Sequence, residues 1–229
     1  MDQGREMAKG KLIVIEAGDG CGKATQTAAL FARLQTEGYK VKKIEFPDYD
    51  SPAAMPVKMY LGGDFGSTAD EVNAYAASTF FAVDRFASYR MKWGRDYEEG
   101  TIILADRYTT SNLVHQAVKL TDERERETYF DWLTDFEYGK LGLPAPDGVI
   151  FLDMKPEVSA KLIALRAEAG REKDIHEQDD AYLVRCHEAY AALAKREGWR
   201  TVRCDDGEKP RSIEEISGEI YEIVKRILA

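Results

Sequence analysis

Short aliphatic runs alternate along the chain with longer segments of mixed character. Runs rich in β-branched residues predict strands buried on both faces of a sheet, and helical spacing of apolar residues predicts helices between them. The expected strands cover residues 12–16, 39–46, 101–106, 148–153 and 199–204, and the expected helices cover 23–37, 69–94, 156–166, 180–196 and 213–228. This alternation predicts an α/β fold with a five-stranded parallel sheet and helices on both faces. Ligands of such sheets bind beyond the carboxyl ends of the strands.

The first strand is followed by AGDGCGKAT at residues 17–25, which nearly matches the phosphate-loop pattern G-x-x-x-x-G-K-[ST]. Ala17 and Ala24 replace the first glycine and the hydroxyl residue. The glycines bring backbone N–H groups toward an anion, the helix N-terminus adds positive potential, and Lys23 adds a charge. None of these contributions needs a side chain at 17 or 24, so a P-loop NTP hydrolase-like fold is expected. The candidate nucleotide-binding residues are Gly18, Asp19, Gly20, Cys21, Gly22, Lys23, Ala24 and Thr25.

Three details of this loop remain open in the sequence. Ala24 puts direct Mg²⁺ coordination by a loop hydroxyl in doubt, and Thr25 lies about 100° further round the helix, so it does not simply substitute. Asp19 should face away from a triphosphate, toward a sugar hydroxyl or the metal, unless it only forms the turn. Cys21 at a helix N-terminus is a candidate for an acidic thiol, although a merely small side chain is the simpler interpretation. A glycine-rich turn without a ligand is the alternative for the whole loop.

Two further stretches carry candidate chemistry. In ADRY, residues 105–108, Asp106 ends a buried strand where the second carboxylate of a phosphate-loop enzyme usually falls, and Arg107 can bind a phosphate. A surface ion pair is the alternative. In TFFAVDRF, residues 79–86, Phe81 and Arg85 are four apart and share a helix face, which suits a flat base with an acceptor edge. Phe80 and Phe86 are expected in the core.

Composition narrows the class of partner and compartment. The net charge of −9 and the pI near 5.0 argue against general binding to nucleic acid. Three widely spaced cysteines favour a reducing compartment over a disulfide framework. The polar start of the chain indicates no signal peptide, and no apolar run approaches the length of a membrane span. A cytoplasmic enzyme without membrane contact is the expectation.

The order and spacing of these stretches resemble the thymidylate kinases of the nucleoside monophosphate kinase type. The resemblance runs from about Lys11 to the C-terminus. The matching pieces are IEAGDGCGKATQ (15–26), FPDY (46–49), FFAVDR (80–85), ADRYTTSNLVHQ (105–116), PDGVIFLDMKPE (146–157) and KDIHEQDDAYL (173–183). It implies a flexible extension at residues 1–10 and a single P-loop kinase domain at 11–229. The charged segment 166–180 would be a short lid, although by its pattern alone it reads as an ordinary solvated helix junction.

The resemblance also implies a reaction and a set of roles. ATP and thymidine 5′-monophosphate (dTMP) would give ADP and the diphosphate, with Mg²⁺. Lys23 would meet the ATP phosphates and Arg107 the acceptor phosphate, while Asp106 and Asp19 would support the metal. Phe81 would stack on thymine and Arg85 would contact its carbonyl edge. The other substrate-pocket residues would be Phe46, Pro47, Tyr49, Ser111, Asn112, His115 and Gln116. A homodimer is implied, with helix 69–94 as its interface unless that helix is buried within one subunit.

The chain departs from the family pattern in ways that matter for mechanism. Some members carry an arginine inside the phosphate loop, which is missing here, so the catalytic arginine is expected from the lid, with Arg171 the first candidate and Arg166 the second. Some also carry an arginine in the FPDY region, where this chain has Asp48 and Tyr49. His115 stands where Tyr or Phe is usual and is a candidate to titrate near neutral pH. Other acceptors, a nucleotide switch and an inactive relative remain as alternatives.

Overall fold

The computed structural model describes residues 8–168, 176 and 179–229. Its sheet has five strands: β1 (Leu12–Ala17), β2 (Val41–Glu45), β3 (Ile102–Asp106), β4 (Gly148–Asp153) and β5 (Arg200–Arg203). All neighbours are parallel, and their order is β2-β3-β1-β4-β5. The α/β fold with five parallel strands is therefore confirmed, and the carboxyl ends of all strands lie at one edge.

Helices cover both faces of this sheet. They are α1 (Lys23–Thr36), α2 (Met55–Leu61), α3 (Ala74–Ser88), α4 (Gly94–Glu98), α5 (Thr109–His115), α6 (Glu123–Thr134), α7 (Pro156–Glu168), α8 (Asp180–Arg196) and α9 (Ile213–Leu228). Ile13 and Ile15 of β1 join a buried cluster with residues of α1 and α9, while Leu12 and Val14 join a second cluster with Trp93 and Tyr97. Alternate residues of one strand thus face opposite helical layers, which is why four consecutive residues, 12–15, are apolar.

The expected helix over residues 69–94 is wrong in its extent. Asn73 caps α3, because its side chain accepts a hydrogen bond from the N–H of Ala76 at 2.8 Å. A separate 3₁₀ turn, Ala69–Glu71, precedes this cap, and a π-helical turn, Tyr89–Trp93, follows α3. An asparagine at an N-cap competes with a continuous helix, and this signal was present in the sequence. Within the described part of the chain, no helix combines the length and apolar character needed to cross a membrane.

Candidate active site

The phosphate loop adopts the backbone geometry that its glycines allow. Gly20 and Gly22 have φ of 79° and 77°, a region that side chains with a Cβ rarely occupy. A Cβ on Gly20 would also lie 2.7 Å from Ile163 Cγ1 and 2.8 Å from the Ser159 carbonyl oxygen, both on α7. Gly22 precedes α1 without a side-chain cap, so the first N–H groups of this helix keep their capacity to bind an anion.

Lys23 and Asp106 face each other across the carboxyl ends of β1 and β3. The Lys23 ammonium donates a hydrogen bond to Asp106 Oδ1, and both side chains are largely buried. The pairing follows from the register, in which Ile15 of β1 stands opposite Asp106. Burial lowers the pKa of Lys23, the nearby charge of Arg107 lowers it further, and Asp106 and Glu16 oppose the shift. The site therefore holds a lysine whose charge depends on its anionic neighbours.

Arg107 follows β3 in a left-handed conformation, with φ of 66°. Such a backbone is unusual for a residue with a side chain and clusters at functional sites. Its Nη2 donates a hydrogen bond of 2.5 Å to Asp19 Oδ1 in the phosphate loop. Burial alone would raise the pKa of Asp19, but Arg107 and other nearby basic groups outweigh burial and lower it to about 2. Asp19 is thus a carboxylate turned toward the Arg107 guanidinium, a partner that the sequence did not suggest.

Glu16 is a fully buried carboxylate next to this arginine. Its Oε1 accepts a hydrogen bond from Thr110 Oγ1 at 2.5 Å, and its Oε2 accepts from Ser111 Oγ at 2.7 Å and Tyr190 Oη at 2.9 Å. Arg107 Nη1 lies 3.9 Å from Oε2. A buried charge is tolerated when it is hydrogen-bonded in this way. Glu16 stands inside the run LIVIE, and an acid in a run that reads as a buried strand is a signal that sequence reasoning missed.

Arg85 is anchored by a residue that the sequence did not suggest. Its Nε and Nη2 donate to the two carboxylate oxygens of Glu137 at 2.7 and 2.5 Å, and Thr109 Oγ1 donates to the same group at 2.7 Å. The Arg85 and Glu137 side chains are 1% and 0% exposed. Glu137 lies in a π-helical turn, Asp135–Lys140, far from Arg85 in sequence. Arg85 therefore reaches the site with two of its nitrogens already occupied.

These groups surround one cavity of about 250 Å³ at the carboxyl edge of the sheet. Most of the sequence-predicted site residues line it: Gly18, Asp19, Gly20, Cys21, Gly22, Lys23, Ala24, Phe46, Pro47, Tyr49, Phe81, Arg85, Asp106, Arg107, Ser111, Asn112, His115 and Gln116. Glu45, Leu61, Tyr108 and His176 line it as well and were not predicted. The cavity thus joins the phosphate loop to the stretches expected to bind a nucleotide acceptor.

Of the remaining predicted residues, one does not line this cavity and two have no described side chain. Thr25 is exposed on the first turn of α1, one position beyond the loop. Arg166 belongs to α7, and its side chain lies outside the described residues, as does the whole of Arg171. Most of the lid segment expected at 166–180 likewise lies outside the described residues. The expectation that Phe86 lies in the core is also wrong, because this side chain is 39% exposed on α3.

The expectation that His115 titrates near neutral pH is wrong, whereas the simpler interpretation of Cys21, a merely small side chain, is confirmed. Burial, followed by the charge of Arg107, lowers the pKa of His115 well below its usual value of 6.5, so its imidazole is neutral at physiological pH. Burial, together with the charge of Asp19, raises the pKa of the Cys21 thiol to about 12. Cys21 is 5% exposed, and desolvation outweighs the helix N-terminus. It is therefore a small buried side chain and not an acidic nucleophile.

A pair of imidazoles closes one wall of the cavity. The rings of His115 and His176 are stacked, with centroids 5.7 Å apart and planes inclined by 4°. Burial lowers the pKa of His176 to about 4, although the charge of Asp19 opposes this shift. Tyr60 Oη lies 3.0 Å from His176 Nε2 and accepts a hydrogen bond from Lys119 at 2.9 Å. The wall is consequently aromatic and uncharged.

Among the described residues, no cluster of three or more histidine, cysteine, aspartate or glutamate side chains has the geometry to hold a metal. Besides Glu45, the carboxylates that line the described part of the cavity are Asp19 and Asp106. Each uses one oxygen for a cation, Arg107 and Lys23 respectively. This donor set suits a hard cation that is held by one or two carboxylates together with substrate phosphates and water, as is usual for Mg²⁺.

The chain is similar to known kinases over nearly its whole length. Residues 15–220 match the family model described as thymidylate kinase. The thymidylate kinase of Mycobacterium tuberculosis is 32% identical over 193 residues, which cover 82% of this chain and 87% of that protein. That of Synechococcus is 28% identical over 218 residues, covering 95% and 97%. That of Arabidopsis thaliana is 26% identical over 216 residues, covering 94% and 71%.

Proposed function

Because this chain belongs to the thymidylate kinase family, we propose that its cavity transfers the γ-phosphoryl group of ATP to the phosphate of dTMP, with the residue roles set out below. Members of this family phosphorylate dTMP to the diphosphate with ATP as donor. The observation that carries the proposal is that the two buried cations Lys23 and Arg107 lie in one cavity, each paired with a carboxylate. A donor and an acceptor phosphate can each meet a cation there.

The donor phosphates would lie on the phosphate loop. The uncapped N–H groups at the start of α1 and the Lys23 ammonium supply positive charge without any side chain at position 24. Asp106 and Asp19 would hold Mg²⁺, since their carboxylates match what this cation needs from a protein. When bound, Mg²⁺ neutralises charge that develops on the phosphates. The Lys23 ammonium would then donate a hydrogen bond to a phosphate oxygen, and its bond to Asp106 would weaken.

The acceptor phosphate would lie on Arg107. Its Nη2 donates to Asp19, and a phosphate, like a carboxylate, offers a guanidinium two anionic oxygens that can accept parallel hydrogen bonds. A phosphate at this position would release Asp19 toward the sugar or the metal. An uncharged nucleoside lacks the group that Arg107 would hold, which favours a monophosphate acceptor.

The base would lie between Phe81 and the buried amide of Gln116. Gln116 is 0% exposed, and neither its oxygen nor its nitrogen has a hydrogen-bond partner among the described residues. A buried amide without partners is costly, and thymine offers both an N–H donor and carbonyl acceptors to satisfy it. Arg85, held by Glu137, would contact a carbonyl of the base, with Asn112, Ser111 and the His115 ring completing the wall.

Catalysis would follow from positioning and charge rather than from a base. A phosphate monoester is already a nucleophile near neutral pH, so Lys23, Arg107 and a lid arginine need only align and stabilise the transferred group. Arg171 is our first candidate for that arginine and Arg166 the second. Closure of the lid would exclude water, which otherwise competes for the phosphoryl group.

The test is ADP production from ATP and Mg²⁺, with dTMP, dUMP, dCMP, dGMP or thymidine as acceptor. We expect turnover that requires a monophosphate and is fastest with dTMP. Turnover with thymidine alone would overturn the assignment of Arg107, and ATP binding without turnover on any acceptor would favour a nucleotide switch. The control is Lys23→Met, which should abolish turnover while leaving dTMP binding intact.

We also propose that two copies of the chain associate through α3. Val83 and Phe86 on this helix are 51% and 39% exposed, and Met91, just beyond it, is 80% exposed. Val83 and Phe86 are three apart and share a helix face, and exposed apolar side chains on one face favour association. Light scattering of the wild type should give the mass of a dimer, and Val83→Lys should give that of a monomer. A monomeric wild type would overturn this proposal without affecting the kinase assignment.

A further inference from the structure

The guanidinium of Arg107 is held from behind by a set of buried acceptors. Its Nη1 lies 3.1 Å from Tyr190 Oη, 3.2 Å from His115 Nε2 and 3.3 Å from Ser111 Oγ. Nη1 carries two hydrogens for these three acceptors. When Nη1 donates to the neutral His115, the imidazole accepts at Nε2 and carries its proton on Nδ1.

Tyr190 links Arg107 to the Glu16 carboxylate, as Ser111 also does, but it does so from a different element and with the shorter contact to Nη1. Its hydroxyl carries a single proton, and this proton is donated to Glu16 Oε2 at 2.9 Å, since a carboxylate can only accept. The phenol oxygen is left to accept from Arg107. The ring is fully buried and stacked on Phe151, with centroids 5.2 Å apart. Burial and the charge of Glu16 raise the pKa of Tyr190 well above 10, so the proton stays in place.

We propose that Tyr190 is a positioning residue for phosphoryl transfer, which spaces Arg107 from Glu16 and so keeps Nη2 directed at the acceptor phosphate. The inference rests on the proposed role of Arg107. Nη1 is 3.9 Å from Glu16 Oε2, too far for a hydrogen bond, and the phenol oxygen is bonded to both groups. Without it, Ser111 alone would bridge the two groups, and the guanidinium and the carboxylate would approach each other, because a direct ion pair replaces two lost hydrogen bonds.

The position of Tyr190 in the fold supports a positioning role rather than simple packing. Tyr190 lies on α8, whereas Arg107 follows β3 and Glu16 lies in β1, so three separate elements converge on one guanidinium. Arg107 also has a strained backbone, which surrounding contacts must hold in place. A phenylalanine would preserve the stacking on Phe151 and remove the contacts of the hydroxyl with Arg107, Glu16 and His115.

The experiment compares the affinities for dTMP and thymidine by calorimetry. Because the two ligands differ only in the phosphate, the ratio of their affinities measures what the phosphate contributes to binding. In Tyr190→Phe we expect the affinity for dTMP to fall about tenfold and that for thymidine to stay within about twofold, as loss of one charge-assisted hydrogen bond implies. Arg107→Met should reduce the ratio about a hundredfold, since it removes the whole ionic contact. Tyr221→Phe is the matched control, because it removes a phenol that donates to Glu37 at 2.5 Å on the far side of the fold.

The outcomes separate the inference from the function on which it rests. A ratio that falls in Arg107→Met but stays within twofold in a folded Tyr190→Phe would overturn the role of Tyr190 alone. A ratio unchanged in Arg107→Met would overturn the proposed role of Arg107. Glu16→Gln gives a second measurement if Tyr190→Phe does not fold, because the amide cannot accept all the donors that Glu16 accepts. It keeps the phenol, and we expect the same tenfold loss for dTMP.

Discussion

The buried ion pair between Arg85 and Glu137 gives the sharpest test of the energetics. Both side chains are almost completely buried, and two direct hydrogen bonds join them. Removing one partner of such a pair costs about 3–5 kcal/mol, because the other charge stays buried and uncompensated. For a chain of this size each kcal/mol lowers the Tm by about 2–4 °C, so Arg85→Met or Glu137→Leu should lower it by about 6–20 °C.

The double variant separates charge from packing. Arg85→Met combined with Glu137→Leu removes both charges, and we expect it to regain most of the stability that either single change loses. Thr109 would then lack its acceptor, which costs about 1 kcal/mol. The folded double variant should nevertheless bind dTMP about tenfold more weakly, because the group proposed to contact the base is missing. The double variant would thus regain most of its stability while its affinity for dTMP stayed low.

The measurement is thermal unfolding by circular dichroism of the four proteins in a double-mutant cycle, with KM for dTMP and ATP on each. Arg95→Met is the control, because Arg95 pairs with Glu99 on an exposed helix surface, where such pairs contribute about 0.3–0.5 kcal/mol. The reasoning is refuted if a single change costs less than about 1 kcal/mol, or if the double variant is no more stable than the singles.

Three further predictions concern the loop, the lid and pH. Gly20→Ala should raise KM for ATP about tenfold or more, as steady-state kinetics would show, because its Cβ meets Ile163 and its backbone is left-handed. Arg171→Ala should lower kcat by about 10³-fold with little change in KM, and an unchanged kcat would exclude Arg171 as the catalytic arginine. The hydrogen bond to Asp153 raises the pKa of His187 above 6.5, so its stabilisation is present below pH 6.5 and is lost as the pH rises through the folded pKa. His187→Gln should therefore cost about 0.2–1 kcal/mol at pH 5.5 and less at pH 8.5, by denaturant unfolding.

Local pattern was sufficient to predict the sheet and much of the cavity. Each strand is a compact apolar run, and the phosphate loop is a continuous stretch whose glycines and lysine act where they stand. Asp106 and Arg107 also follow directly from their position at a strand end. The strands, the phosphate loop and the strand-end residues each depend on residues that are adjacent in the sequence, so a local pattern is enough to predict them.

The partners of those residues depend on contacts that no local pattern shows. Glu137 meets Arg85 across 52 positions, and Tyr190 meets Arg107 across 83. The neutrality of His115 is set by burial, which a ring in a polar stretch does not reveal. The division of helix 69–94 at Asn73 is different, because the capping signal was local but weaker than the alanine-rich composition around it.

The bond between Tyr190 and Glu16 joins positions 174 residues apart, the one on α8 and the other on the first strand. The entropic cost of closing so long a segment is offset only when most of the intervening structure is in place. During synthesis, β1, β3 and the phosphate loop leave the ribosome long before α8 does. A refolding chain should therefore regain the pairing of β1 with β3 first, and its contacts with the acceptor phosphate only as α8, in the last third of the chain, packs against the rest.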